Sequence, residues 1–182
     1  MSIKKEKEKA INNIICRTAI HGALQRNTIY QKATGDKIKK EFRNFLSVEL
    51  SLIFEKTILN PDHNEDKHFK LISSFAEKAT KNKKYTKFLH KERLTIGTSQ
   101  KLINLFWKMN WLLKPGIKTP IHCPFDAIII SEFDNPVNKI KWTQLNSIEE
   151  YKELVDAAKK LKNKHSNIAE WELEKYGLTA YS

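Results

Sequence analysis

The sequence predicts an all-α fold in a single domain, and three observations carry that expectation. A chain of 182 residues suits one hydrophobic core and is short for two. Apolar residues recur at i, i+3 and i+4 through most of its length, the helical period. Five Gly and five Pro are too little turn chemistry for a many-stranded sandwich or barrel. A hydrophobic content of 40% with nine Phe and four Trp excludes a disordered chain.

Taken in order, Ile11, Ile14, Ile15, Ala19 and Leu24 mark a first helix. Ile38, Phe42, Phe45, Leu46, Leu50 and Ile53 mark a second, and Phe69, Ile72, Phe75, Ala76 and Ala79 a third. Pro61 and the polar run 62–66 separate those two. A solvated loop at 81–84 and a short amphipathic piece at 85–91 lead to a turn at 95–98 built on Gly97. A helix over 99–113 presents Leu102, Leu105, Phe106, Met109 and Leu113 on one side.

Three prolines and a glycine keep residues 114–124 out of regular helix. The apolar stretch 125–133 could be a short buried strand, though no partner strand is visible elsewhere. Ser147-Ile-Glu-Glu150 is a capping box that opens a helix through Leu161. Ser166 is placed as the cap of a last helix reaching about Tyr176, with Gly177 as its C′ residue. Neither an internal repeat nor a dividing linker is visible, so residues 1–182 read as one helical domain.

Function classes narrow by exclusion. The apolar run 127–130 is far short of a membrane span, so no membrane partner is expected. The mixed-charge start and the polar breaks at Asn12, Asn13, Arg17 and Thr18 argue against a secretory leader. Cys16 and Cys123 are read as free thiols of a cytoplasmic protein. There is no phosphate-binding glycine loop, no His-Glu-x-x-His and no Gly-x-Ser-x-Gly. The six His show no ligand spacing, so no metal site is expected.

A net charge of +12 points to a polyanion, with DNA or RNA first. The cations are 29 Lys and four Arg, which favours attraction to the phosphate backbone over forked reading of bases.

Chemistry concentrates in one region. Leu94-Thr-Ile-Gly97-Thr-Ser-Gln-Lys101 leads into Leu-Ile-Asn104-Leu-Phe-Trp-Lys108, and Pro120-Ile-His-Cys-Pro-Phe-Asp126-Ala-Ile-Ile-Ile130 follows. A glycine turn before a helix N-terminus leaves backbone N–H groups free to hold a phosphate, which makes Gly97, Thr98, Ser99 and Gln100 candidate DNA contacts. Lys101 falls in the first turn of that helix. Asp126 opens the next apolar element, where its carboxylate can cap or point into a cleft. His122 and Cys123, in a proline-flanked loop just before Asp126, are candidate pocket residues.

These residues resemble the helix-hairpin-helix DNA glycosylases, most of all the archaeal-type 8-oxoguanine DNA glycosylase/AP lyase group. That family carries a hairpin Gly-x-Gly-x-Lys leading into a helix and a later Asp in an apolar context. Gly97-Thr-Ser-Gln-Lys101 is similar to the hairpin with Ser99 in place of the second glycine, and Phe125-Asp126-Ala-Ile-Ile is similar to the Asp segment. Asn167-Ile-Ala-Glu-Trp-Glu-Leu173 looks like the start of the family's last helix. The likeness covers roughly 94–176, with the hairpin and catalytic segment at about 94–130 and the C-terminal helices at about 147–176.

Two further departures stand beside Ser99. Lys101 and Asp126 are 25 positions apart, wider than the family's usual spacing, with 114–119 as an extra loop. Residues 178–182 hold no lysine, unlike the tails of the archaeal-type enzymes.

The resemblance implies a DNA glycosylase with AP lyase activity, acting as a monomer on double-stranded DNA with a flipped base. Lys101 would be the Schiff-base nucleophile and Asp126 the electrostatic and acid/base partner, with no metal or organic cofactor. The default substrate is an oxidised purine such as 8-oxoguanine, and a modified base in foreign DNA is the variant. The competing expectation is a basic helical nucleic-acid-binding protein without chemistry.

Overall fold

One helix organises the others. In the computed structural model, which describes residues 2–25, 27–162 and 164–180 with side chains as far as 176, α4 (Ile96–Leu113) is packed on several sides. Against it lie α1 (Ile3–Leu24), α3 (Glu65–Thr80) and α6 (Ile148–Leu161). α2 (Asp36–Ile53) leans on α1, and the short α5 (Ala127–Ile130) packs on α7 (Ile168–Ala180). The expected all-α architecture holds: the described residues contain no strand, only one isolated bridge between Tyr30 and Leu89.

The apolar faces that the periodicity marks are those that meet. Phe42, Leu46, Leu50 and Ile72 are fully buried, and they join Leu102, Ile103, Phe125, Tyr151 and Leu154 in one contiguous cluster. On α1 the buried stripe is Ile15, Cys16, Ala19, Ile20, Ala23 and Leu24, whereas Ile11 and Ile14 are exposed. Lys114, just past the end of α4, interacts electrostatically with both Glu8 and Cys16 of α1.

Local chemistry sets the helix ends. Asn64 caps α3 by accepting from Lys67 N–H at 3.0 Å, with Glu65 and Asp66 in the first turn suiting its dipole. The capping box of Ser147 and Glu150 opens α6 as the sequence indicates. α2 ends in a π-helical turn, Phe54–Ile58.

Beyond residue 120, three expected boundaries differ. The stretch 125–133 contains a short helix rather than a strand, because Asp126 accepts from the N–H groups of Ile128 and Ile129 and starts a helical turn. The cap of α7 is Asn167, whose Oδ1 accepts from Ala169 and Glu170 N–H at 3.0 Å each, while Ser166 bonds to the Glu170 carboxylate. α7 runs through Gly177 to Ala180, so Gly177 does not end it.

A buried ion pair joins α4 to α7. Lys108 Nζ lies 2.6 and 2.9 Å from the two carboxylate oxygens of Glu172, with the Tyr176 ring 4.9 Å away. The two side chains are only 7% and 3% exposed. Burial pushes the Glu172 carboxyl above the usual range, and the Lys108 ammonium draws it back down. Removing one charge strands the other in a dry interior. Lys108→Met is therefore expected to cost about 3–5 kcal/mol of stability, and Lys108→Met with Glu172→Leu to recover most of it, as read by urea denaturation.

Candidate active site

Lys101 and Asp126 come together. Lys101 lies just after the first turn of α4, and its Nζ is 3.2 Å from Asp126 Oδ2. The other carboxylate oxygen, Oδ1, caps α5 through Ile128 N–H at 3.0 Å and Ile129 N–H at 3.3 Å. One oxygen is thus anchored to the backbone and the second is left to face the ammonium. The side chains are 11% and 23% exposed, which keeps the pair close to dry and still reachable from solvent.

The third wall is Trp142. Lys101 Nζ sits 4.5 Å from the centroid of its ring, in cation–π range. Gly97 makes that approach possible. A Cβ on Gly97 would fall 1.6 Å from the Trp142 carbonyl oxygen, and Gly97 N–H donates to the Leu145 carbonyl at 3.0 Å. Gly97 is four residues before Lys101, so the same helix face takes both the backbone of residue 142 and its ring.

The expected glycine turn at 95–98, with its free backbone amides, requires correction. α4 begins at Ile96, with Thr95 as its cap, so Gly97 lies inside the helix and not in a turn. Thr98 N–H is taken by Thr95 Oγ1 at 3.1 Å and Gly97 N–H by Leu145, which leaves neither free for a phosphate. Thr98, Ser99 and Gln100 are fully buried. Ser99, which stands at a family glycine, sits in ordinary helical backbone, and the only described non-glycine residues with positive φ are Lys91 and Glu92.

Beside this helix start lies a cavity of about 430 Å³ bordered by His90, Lys91, Arg93, Asn27, Asn146 and, of the predicted contacts, Thr98. No carboxylate is among the described residues that line it. Lys91 and Arg93, in the loop before the helix, give the cavity its cationic lining.

His122 and Cys123 are both fully buried and do not line an open pocket. They belong to a polar network through the core. His63 Nε2 is 3.2 Å from His68 Nδ1, and His68 Nε2 is 2.7 Å from Asn104 Oδ1. Asn104 Nδ2 lies 2.9 Å from Tyr151 Oη, which is 2.8 Å from His122 Nδ1. His122 Nε2 reaches Glu65 Oε1 at 3.1 Å, and Lys159 binds the other oxygen at 2.7 Å.

With each imidazole neutral and protonated on Nε2, every link has one donor and one acceptor, and all donors point toward Glu65. The sequence scatters these groups over 63–159, so spacing gives no sign of the cluster. The three imidazoles bond along a chain, and no group of three or more described His, Cys, Asp or Glu side chains could hold a metal ion.

No protein-family model matches the chain, and neither a curated protein nor a solved structure matches it significantly. Among the described residues, no helix is long and apolar enough to cross a membrane.

Two predictions follow from this geometry. Gly97→Ala drives a methyl into the Trp142 carbonyl and is expected to cost at least about 1–3 kcal/mol, with a shift in tryptophan fluorescence as the ring leaves Lys101. Burial also pushes His68 and His122 below the ordinary 6.5, so both are neutral in the fold. The unfolded chain takes up protons at 6.5, so this contribution is complete above that pH and is lost as pH falls below it. Glu65, lowered to about 2 chiefly by its bond to His122, adds a second loss as pH falls below 4.5. Urea midpoints measured from pH 8 to pH 4 should decline from about 6.5 downward; a midpoint flat across that range would contradict the neutral network.

Proposed function

We propose that the protein is a DNA glycosylase with AP lyase activity that removes a damaged or modified base through Lys101. The observation that carries the reading is the Lys101–Asp126 pair: 25 positions apart in sequence, 3.2 Å apart in the fold and neither wholly closed to solvent. The net charge of +12 and the cationic cavity beside the start of α4 support a DNA partner. The chemistry suits the residues as they lie.

A base stacked in a duplex is out of reach and must be flipped out. The Lys101 amine, once it has given a proton to Asp126, attacks the sugar carbon bearing the base. The glycosidic bond breaks with its electron pair leaving on the base, which takes up a proton. That proton comes from Asp126, whose restored carboxylate stabilises the cationic sugar as the bond lengthens. The amine–sugar adduct opens to an imine, loss of a proton from the adjacent carbon breaks the 3′ carbon–oxygen bond, and the strand is nicked. An oxidised purine is the first substrate class, with a modified base in foreign DNA as the variant.

The decisive experiment mixes the protein with duplex DNA carrying 8-oxoguanine or an abasic site and adds borohydride. The expected result is a covalent adduct that disappears in Lys101→Gln while DNA binding persists. Asp126→Asn is expected to slow adduct formation by about 10²–10⁴-fold. An adduct with the abasic site alone keeps the enzyme class and changes the base. Neither adduct nor released base, with salt-sensitive DNA binding intact, would establish the basic nucleic-acid-binding protein instead.

A further inference from the structure

The loop that delivers Asp126 is fastened to α4 by side-chain amides. Gln100, next to Lys101, meets the backbone of Phe125 with both ends of its amide. Its Nε2 donates to the Phe125 carbonyl at 2.7 Å, and its Oε1 accepts from Phe125 N–H at 3.1 Å. One turn on, Asn104 Nδ2 donates to the Cys123 carbonyl at 2.9 Å. The residue after Phe125 is Asp126.

Both amides are buried, Gln100 at 0% and Asn104 at 1% exposure, where a made bond is strengthened and an unmade one is costly. The Asn104 amide is oriented from outside. His68 donates to its oxygen, Tyr151 Oη accepts from its nitrogen, and the chain behind them runs through His122 to Glu65. A flipped Asn104 would set donor against donor at His68 and acceptor against acceptor at Cys123.

We infer that Gln100 and Asn104 are positioning residues for the Lys101–Asp126 pair. They hold backbone 123–125 on the face of α4, and so keep Asp126 Oδ2 within reach of Lys101 Nζ. Gln100 thereby acts from inside the protein and not as a DNA contact. The kinetic consequence rests on the glycosylase reading; the structural one rests on the geometry alone.

The test uses Gln100→Met and Gln100→Glu in the full chain. Gln100→Met keeps the length and removes both bonds. Amide exchange at Phe125 N–H should accelerate selectively, with the amides of α1 and α6 unchanged. Borohydride trapping should slow by up to ~100-fold with DNA affinity unchanged, the signature of a misplaced group rather than a lost contact. Gln100→Glu restores the pair of bonds only when its carboxyl is protonated, as O–H donor and C=O acceptor. Its trapping rate relative to the native protein should therefore rise as pH is lowered.

Unchanged exchange at Phe125, or loss of DNA affinity in proportion to the loss of trapping, would overturn the inference. Absence of both adduct and released base with the native protein would remove the glycosylase reading, and exchange at Phe125 would still decide the clamp. If Gln100→Met fails to fold, Gln100→Glu followed across pH decides in its place.

Discussion

A polar side chain taken out of water must be bonded or it destabilises the fold, and α4 takes a whole stripe of them inside. Gln100, Lys101, Asn104 and Lys108 fall within about a quarter turn of the helix surface at its 100° per residue, and all four are buried. Their partners are the backbone of Phe125, the carboxylate of Asp126, the carbonyl of Cys123 with the Tyr151 hydroxyl, and the carboxylate of Glu172. Meeting that requirement draws the loop before Asp126, α6 and α7 onto one helix face. The candidate site forms where the stripe comes nearest to solvent.

The opposite face of α4 is ordinary. Leu102 and Phe106 are buried in the common core, and Leu105 approaches α1 so closely that a Cβ on Gly22 would lie 2.6 Å from its Cδ2. This division gives the helix two roles. Its apolar side supplies much of the burial that drives folding, and its polar side supplies geometry. A stripe of this kind is a poor source of net stability and a good source of uniqueness, because a wrong register leaves several groups unbonded at once.

The two lysines of the stripe differ in what surrounds them. Lys108 is enclosed, bonded to both oxygens of one carboxylate, and has no room for a substrate. Lys101 shares one oxygen of a carboxylate whose other oxygen is committed to α5, and its remaining side meets the Trp142 ring. Of the two, Lys101 keeps more contact with solvent, its side chain 11% exposed beside a carboxylate that is 23% exposed. Gly97 is what brings the ring there, since a side chain at that position could not coexist with the Trp142 carbonyl.

Periodicity and capping chemistry are local properties, so the sequence alone determined the helical class, the apolar faces of α2, α3 and α4, and the capping box at Ser147. The pairing of Lys101 with Asp126 was legible through the order of residues around them, and the distance between them was not. The hidden part concerned polar residues. On a helix, a polar face ordinarily means solvent, so nothing local announced that Gln100 and Asn104 are interior or that Thr98 and Ser99 are buried with them. The histidines gave still less sign, because His63, His68 and His122 meet only after α3, α4 and the 114–125 loop have packed. Which groups a buried amide or imidazole bonds is decided by neighbours distant in sequence, and only the tertiary structure supplies those neighbours.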